Sequence, residues 1–138
     1  MKQISSRFSM AVHALCLIAV SPDGCTSDYI AGSVNTNPVV IRRIMGMLKQ
    51  AGLVRIAPGV GGARLLKEPR DMTLLDVYRA VQAAGEHLLF RIHGEANVAC
   101  PIGRNIERVL QEELTEAQQA MERRLAQTTL DRLLEQFK

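Results

Sequence analysis

Residues 27–66 read SDYIAGSVNTNPVVIRRIMGMLKQAGLVRIAPGVGGARLL, and their punctuation divides them into four pieces. A hydroxyl at Thr26 or Ser27 caps a short helix that carries Tyr29, Ile30, Ala31 and Val34, because such a side chain accepts an otherwise orphan N–H. Asn35-Thr36-Asn37 breaks it. Asn37 then caps a second helix with Pro38 at its first position, where the missing N–H is no loss. That helix runs to Gln50, and Gly52 stops it just beyond. Its residues Ile41, Ile44, Met45 and Leu48 fall at i, i+3, i+4 and i+7, one apolar stripe. Thr36, Asn37, Val39, Arg42, Arg43, Gly46 and Lys49 are left to an outer, basic side. Leu53-Val54-Arg55-Ile56 and Arg64-Leu65-Leu66 flank Pro58-Gly59-Val60-Gly61-Gly62 as a hairpin whose tip needs positive φ. The order is helix, turn, helix, hairpin.

On either side the chain supports this unit. Phe8, Ala11, Val12, Leu15, Ile18 and Ala19 cover one broad face of a helix over 6–20, ended by Ser21-Pro22-Asp23-Gly24. Thr73 caps a further helix through Leu74, Leu75, Val77, Tyr78 and Val81, which Gly85 closes. Residues 86–100 have no clean period: Leu88-Leu89-Phe90 is apolar, while His93-Gly94-Glu95 and Asn97 have the composition of a loop. From Pro101, Ile102, Ile106, Leu110 and Leu114 recur every four residues, followed by Ala117, Ala120, Met121, Leu125, Leu133, Leu134 and Phe137, with a break expected at Leu114-Thr115. So long an amphipathic tail exceeds what one small domain needs for itself, which predicts a homodimer seam through Ile106, Leu110, Leu114, Met121 and Leu125. The expected division is a DNA-binding region over 1–84, a linker over 85–101 and dimerisation helices over 102–138.

The 138 residues make one domain, with 47% apolar and only 4% aromatic residues, so its core is built from aliphatic side chains and helices. The net charge of +3 is unevenly spread. Residues 1–70 hold nine Lys/Arg against three Asp/Glu, and residues 71–138 eight against eleven, giving +6 and −3. A basic first half points to a polyanion. Cys16, Cys25 and Cys100 are odd in number and lack C-x-x-C spacing, which fits free thiols in a cytoplasmic chain without a structural zinc site. Lys2 and Arg7 ahead of residues 10–20 imitate a signal peptide. However, His13 interrupts the run, no A-x-A site precedes Pro22, and eleven residues are too few to cross a bilayer. No membrane segment is expected.

The major groove of B-DNA admits one helix, and arginine donates two parallel hydrogen bonds to guanine. Arg42 and Arg43 lie one turn into the second helix, where a recognition helix meets base edges. Thr36 and Asn37 stand at its N-terminal end, which suits a phosphate. Arg64 and Arg55 supply the charge of the hairpin. A solvated helix face is the plain alternative for the paired arginines, and the order of elements around them decides for DNA.

With these residues in place the chain resembles the IscR/NsrR/CymR family of bacterial winged helix–turn–helix regulators over nearly its whole length. The resemblance is carried by Ile4-Ser5-Ser6-Arg7-Phe8, Ala11-Val12-His13-Ala14-Leu15, Ile30-Ala31 and Asn37-Pro38-Val39-Val40-Ile41-Arg42-Arg43. It continues through Leu48-Lys49-Gln50-Ala51-Gly52-Leu53-Val54, Gly61-Gly62 and Thr73-Leu74-Leu75-Asp76-Val77. It implies a mainly α (α+β) fold with a two-stranded wing and a long C-terminal helix crossing to a partner copy, and a repressor bound to a palindromic operator in double-stranded DNA. The implied DNA-binding set is Arg7, Ser27, Thr36, Asn37, Val39, Arg42, Arg43, Lys49, Gly59, Gly61, Gly62 and Arg64. Two departures stand out. Where relatives have Arg-Gly and Gly-Gly-Tyr around the wing loop, this chain has Pro58-Gly59 and Gly61-Gly62-Ala63, so Arg64 or Arg55 must replace the wing arginine. Where cluster-binding members carry three cysteines, it has Cys100 alone.

No cofactor is expected, although an iron–sulfur cluster held by Cys100 with His87, His93 or an acidic residue is conceivable. Cys100-Pro101 places a sulfur at a helix start, where the dipole favours thiolate and a sensor role; the other reading is a small capping residue. Cys16 is expected in the core, Cys25 as a loop thiol, and His13 in the core or a dimer interface. Nothing catalytic is legible: Gly59-Val60-Gly61-Gly62 lacks the Lys-Ser/Thr of a nucleotide loop. A protein-interaction module on the same scaffold is the competing function, separable by salt dependence.

Overall fold

The computed structural model describes residues 5–21, 23–57, 62–82 and 92–138. Pro22, residues 58–61 with Gly59 and Gly61 (expected as the wing tip), Gly85 (expected to close a helix), His87 and the apolar 88–90 run lie outside the described residues. The other elements gather around α1 (Ser5–Val20), whose Ala11, Ala14, Leu15 and Ile18 are buried. It touches α2 (Ser27–Val34), α3 (Pro38–Gln50), the second wing strand, α4 (Leu74–Gln82) and the C-terminal α6 (Leu130–Leu134). Phe8 meets Tyr78 of α4 edge-on, with ring centroids 6.2 Å apart, a geometry aromatic rings favour. Cys16 belongs to this core, as expected.

The helix–turn–helix is made by local chemistry. Thr26, rather than Ser27, caps α2 by accepting the Tyr29 N–H at 3.1 Å. Asn35 takes the left-handed conformation at φ +67°, which asparagine tolerates, and its N–H bonds Ala31 O at 2.8 Å. Asn37 Oδ1 then accepts the Val39 N–H at 2.8 Å to start α3 behind Pro38. Ile41, Ile44, Met45 and Leu48 are all buried, so the predicted stripe is the core face of α3. Gly52, at φ +79°, turns the chain into the wing.

The wing pairs β1 (Val54–Ile56) antiparallel with β2 (Ala63–Leu65), matching Val54 to Leu65, Arg55 to Arg64 and Ile56 to Ala63. Its base sits on the α1–α2 loop: the Ala63 N–H bonds Cys25 O at 3.0 Å, and Gly62 makes a parallel bridge to Cys25. Cys25 is therefore buried, 1% exposed, and not the loop thiol expected from sequence. A 3₁₀ turn (Pro69–Asp71) leads to α4, where Thr73 and Asp76 cap each other's N–H groups at 3.0 and 3.1 Å, a reciprocal capping box with Asp in the role of Glu.

α5 (Pro101–Ala126) runs 26 residues without interruption, so the break expected at Leu114-Thr115 does not occur. One threonine among Glu, Gln and Ala is too weak a breaker, and Thr115 Oγ1 accepts from Gln111 Nε2 at 3.2 Å along the helix. The chain turns instead at Gln127 and Thr128, and Thr129 caps α6. Residues 127–138 then return to α1 and the start of α4: the Leu74 N–H bonds Thr128 O, the Leu130 N–H bonds Met72 O, and Leu130 is buried in the common core.

Candidate nucleic-acid interface

α3 is half core and half surface. Opposite its buried stripe, Val39 (52% exposed), Arg42, Arg43 and Lys49 face solvent, and Gly46 opens the middle of that face. Neither Arg42 nor Arg43 pairs with an acidic side chain among the described residues, so both guanidinium groups are available to an incoming anion. Thr36 is half-buried in the turn, with its N–H spent on Ala31 O at 3.0 Å. The Asn37 side chain is engaged as the cap of α3. Ser27 and Arg7 are half-buried near the starts of α2 and α1.

The wing brings Arg55 and Arg64 side by side across the ladder, where in-register residues share a face. Arg64 is not free: its Nη2 lies 2.9 Å from Asp23 Oδ1 in the α1–α2 loop. Gly62, expected as a contact to DNA, has a structural reason of its own. Its φ is +69°, and a Cβ there would collide with the Cys25 carbonyl. Sequence spacing offered no sign of Asp23 or Cys25 in the wing, since their partners stand 41 and 38 residues away.

The remaining predicted residues lie far along the chain. Cys100 is exposed and precedes α5, with no side-chain cap hydrogen bond. The N–H groups of Gly103, and then Ile102, nonetheless hold its thiol below the ordinary cysteine range, while burial pushes Cys16 and Cys25 up. Gly103 lets the loop close over the helix start, because a Cβ there would strike the Asn97 carbonyl. His13 is exposed and hydrogen-bonds Ser33 Oγ at 2.9 Å, so it is not a core residue. Along α5, Ile106, Leu110, Leu114, Met121 and Leu125 are half-buried, Val109 and Ile102 are exposed, and nothing on the helix is buried.

A family model described as Rrf2, iron-dependent transcriptional regulator, matches residues 4–136. The chain belongs to the Rrf2 family. It is 46% identical over 127 residues to the HTH-type transcriptional regulator YwnA of Bacillus subtilis (strain 168), covering 92% of this chain and 93% of that one. A crystal structure of a protein described as DNA-binding shares 40% identity at a TM-score of 0.76, over 93% of this chain and 98% of that one. CymR, the global cysteine regulator of B. subtilis, shares the fold at a TM-score of 0.69 and 23% identity, over 98% of both chains. As an Rrf2 protein the chain is a winged-helix, DNA-binding transcriptional regulator, in a family of regulators rather than enzymes.

The family description names iron, and the donors among the described residues do not fit it. Among the described residues no group of three or more His, Cys, Asp or Glu could hold a metal ion. Two of the three thiols are buried in the core, and the third stands alone at the start of α5. No helix among the described residues is long and apolar enough to cross a membrane.

Proposed function

We propose that the chain is a cytoplasmic homodimeric repressor that reads a palindromic operator, each copy presenting α3 to the major groove of one half-site. The reading rests on α3 itself, a helix locked in place by four buried side chains, with two arginines on its free side that pair with no acidic group among the described residues. Within this reading residues 1–84 bind DNA, with Arg42 and Arg43 at base edges and Arg7, Ser27, Thr36, Asn37, Val39, Lys49 and the wing residues Gly59, Gly61, Gly62 and Arg64 around the backbone. Within residues 102–138 the dimer seam is the α5 stripe of Ile106, Leu110, Leu114, Met121 and Leu125, while α6 closes the copy's own core. α5 spans about 39 Å at 1.5 Å per residue, too long for its apolar side chains to find cover in one copy, and such a stripe is what a second copy would bury.

Selection of bound sequences from a random DNA pool, followed by titration of the winning duplex, tests the reading. A dimer touching about six to ten phosphates loses ~10³–10⁵ in affinity between low and moderate salt. Arg42→Ala should further lose about 1–3 kcal/mol of base discrimination. Binding that ignores salt and sequence would return the chain to the interaction-module reading.

A thiol response through Cys100 is favoured by one observation: it is the exposed thiol and the one whose deprotonation the backbone assists. Modification there would disturb the joint at which the dimer helix begins.

A further inference from the structure

The loop of residues 23–26 serves both halves of the DNA-binding unit. Thr26 caps α2, the Cys25 carbonyl holds the Ala63 N–H, and the Asp23 carboxylate accepts from Arg64 at 2.9 Å. Arg64 stands in register with Arg55 on the facing strand. Like charges directly opposed in an antiparallel pair repel, so Asp23 neutralises one member of an unfavourable pair. The bond from Cys25 to Ala63, the residue before Arg64, keeps carboxylate and guanidinium within reach through the backbone. The side chains remain 85% and 53% exposed, so water screens the pair and another anion can replace it.

We propose that Asp23 stands in for a DNA phosphate in the free protein, holding Arg64 beside Arg55 and lowering the affinity of the wing for DNA by competing for the same guanidinium. This rests on the winged-helix DNA-binding reading. On a duplex, a backbone phosphate takes the place of the carboxylate at Arg64, and breaking the Asp23–Arg64 pair is the cost of that exchange. Part of the electrostatic gain at the wing is therefore held back by the protein itself.

The test is a set of four proteins, wild type, Asp23→Asn, Arg64→Gln and the double variant, titrated with a mixed-sequence duplex by fluorescence anisotropy at several salt concentrations. Asp23→Asn should bind about two- to fivefold more tightly at low salt, an advantage that shrinks as salt screens the competing ion pair of the wild type. Arg64→Gln should bind more weakly and make Asp23→Asn silent. Equal or weaker binding by Asp23→Asn overturns the proposal, because Asp23 would then position Arg64 rather than compete for it. So does an Asp23→Asn effect that persists in the Arg64→Gln background, which would come from general charge. A wild-type chain without salt-dependent duplex binding removes the DNA-binding reading itself, a separate outcome that takes the proposal with it.

Discussion

Two residues show how different demands fall on single positions in this chain. At Gly62 the positive φ and the nearby Cys25 carbonyl each exclude a side chain. Gly62→Ala should therefore cost at least about 2 kcal/mol, seen as a lower midpoint in denaturant unfolding. Full stability in that variant would mean that the wing base does not rest on Cys25. At Cys100 the demand is chemical. Its pKa is lowered, so the thiolate forms at lower pH than in a free cysteine, and alkylation should rise at correspondingly lower pH. Cys16 and Cys25 are shifted the other way and are buried. Iodoacetamide should add one adduct to the native chain and three after unfolding, as read by mass spectrometry. Cys100→Ser should keep DNA binding and lose any response to peroxide; a retained response would end the sensor reading. The caps were legible in the sequence because Asn37, Thr73 and Gly52 act on residues within a turn of themselves. The positive φ of Gly62 was legible from its glycine-rich loop; the Cys25 carbonyl that also excludes a side chain there was not, because it is 37 residues upstream.

Among the elements, α3 and α5 differ in how much of their environment lies within one copy. The period of α3 named its buried face correctly, since four apolar residues on one stripe leave a single way to pack. In α5 the same periodicity named a stripe but not its partner. The C-terminal half of that helix leans on α4, where Arg79 approaches Glu122 at 3.6 Å, which leaves the N-terminal apolar residues for the second copy proposed above. Leu110→Glu places a charge in that seam and should convert a dimer to a monomer in light scattering, with helicity preserved in circular dichroism. A variant that stays dimeric would move the seam elsewhere. The helix start at Pro101 was legible from its proline. The uninterrupted course through Thr115 was not, because a threonine weakens a helix by only a fraction of a kcal/mol and its neighbours outweigh it.

Across the whole molecule the uneven charge is the property most directly carried from sequence to function. The +6 of residues 1–70 includes α3 and the wing, and the −3 of residues 71–138 includes all of α5. Such a distribution turns the basic side toward a polyanion as it approaches. The return of the C-terminus to the core was hidden from the sequence, because Leu130 looks like one more leucine of an amphipathic tail. Only its bond to Met72 and its burial show that the tail closes the common core. The seat of the wing on the α1–α2 loop carries a consequence for how the chain reaches this shape. The Ala63 N–H and the Cys25 carbonyl enclose all of α2, α3 and β1 between them, and a contact across so long a loop forms after the local turns, once the closure entropy is offset by packing already in place. By that reasoning the helix–turn–helix should form before the wing seats on it, so a lesion in the 23–26 loop should speed unfolding more than it slows folding, as a chevron plot would show.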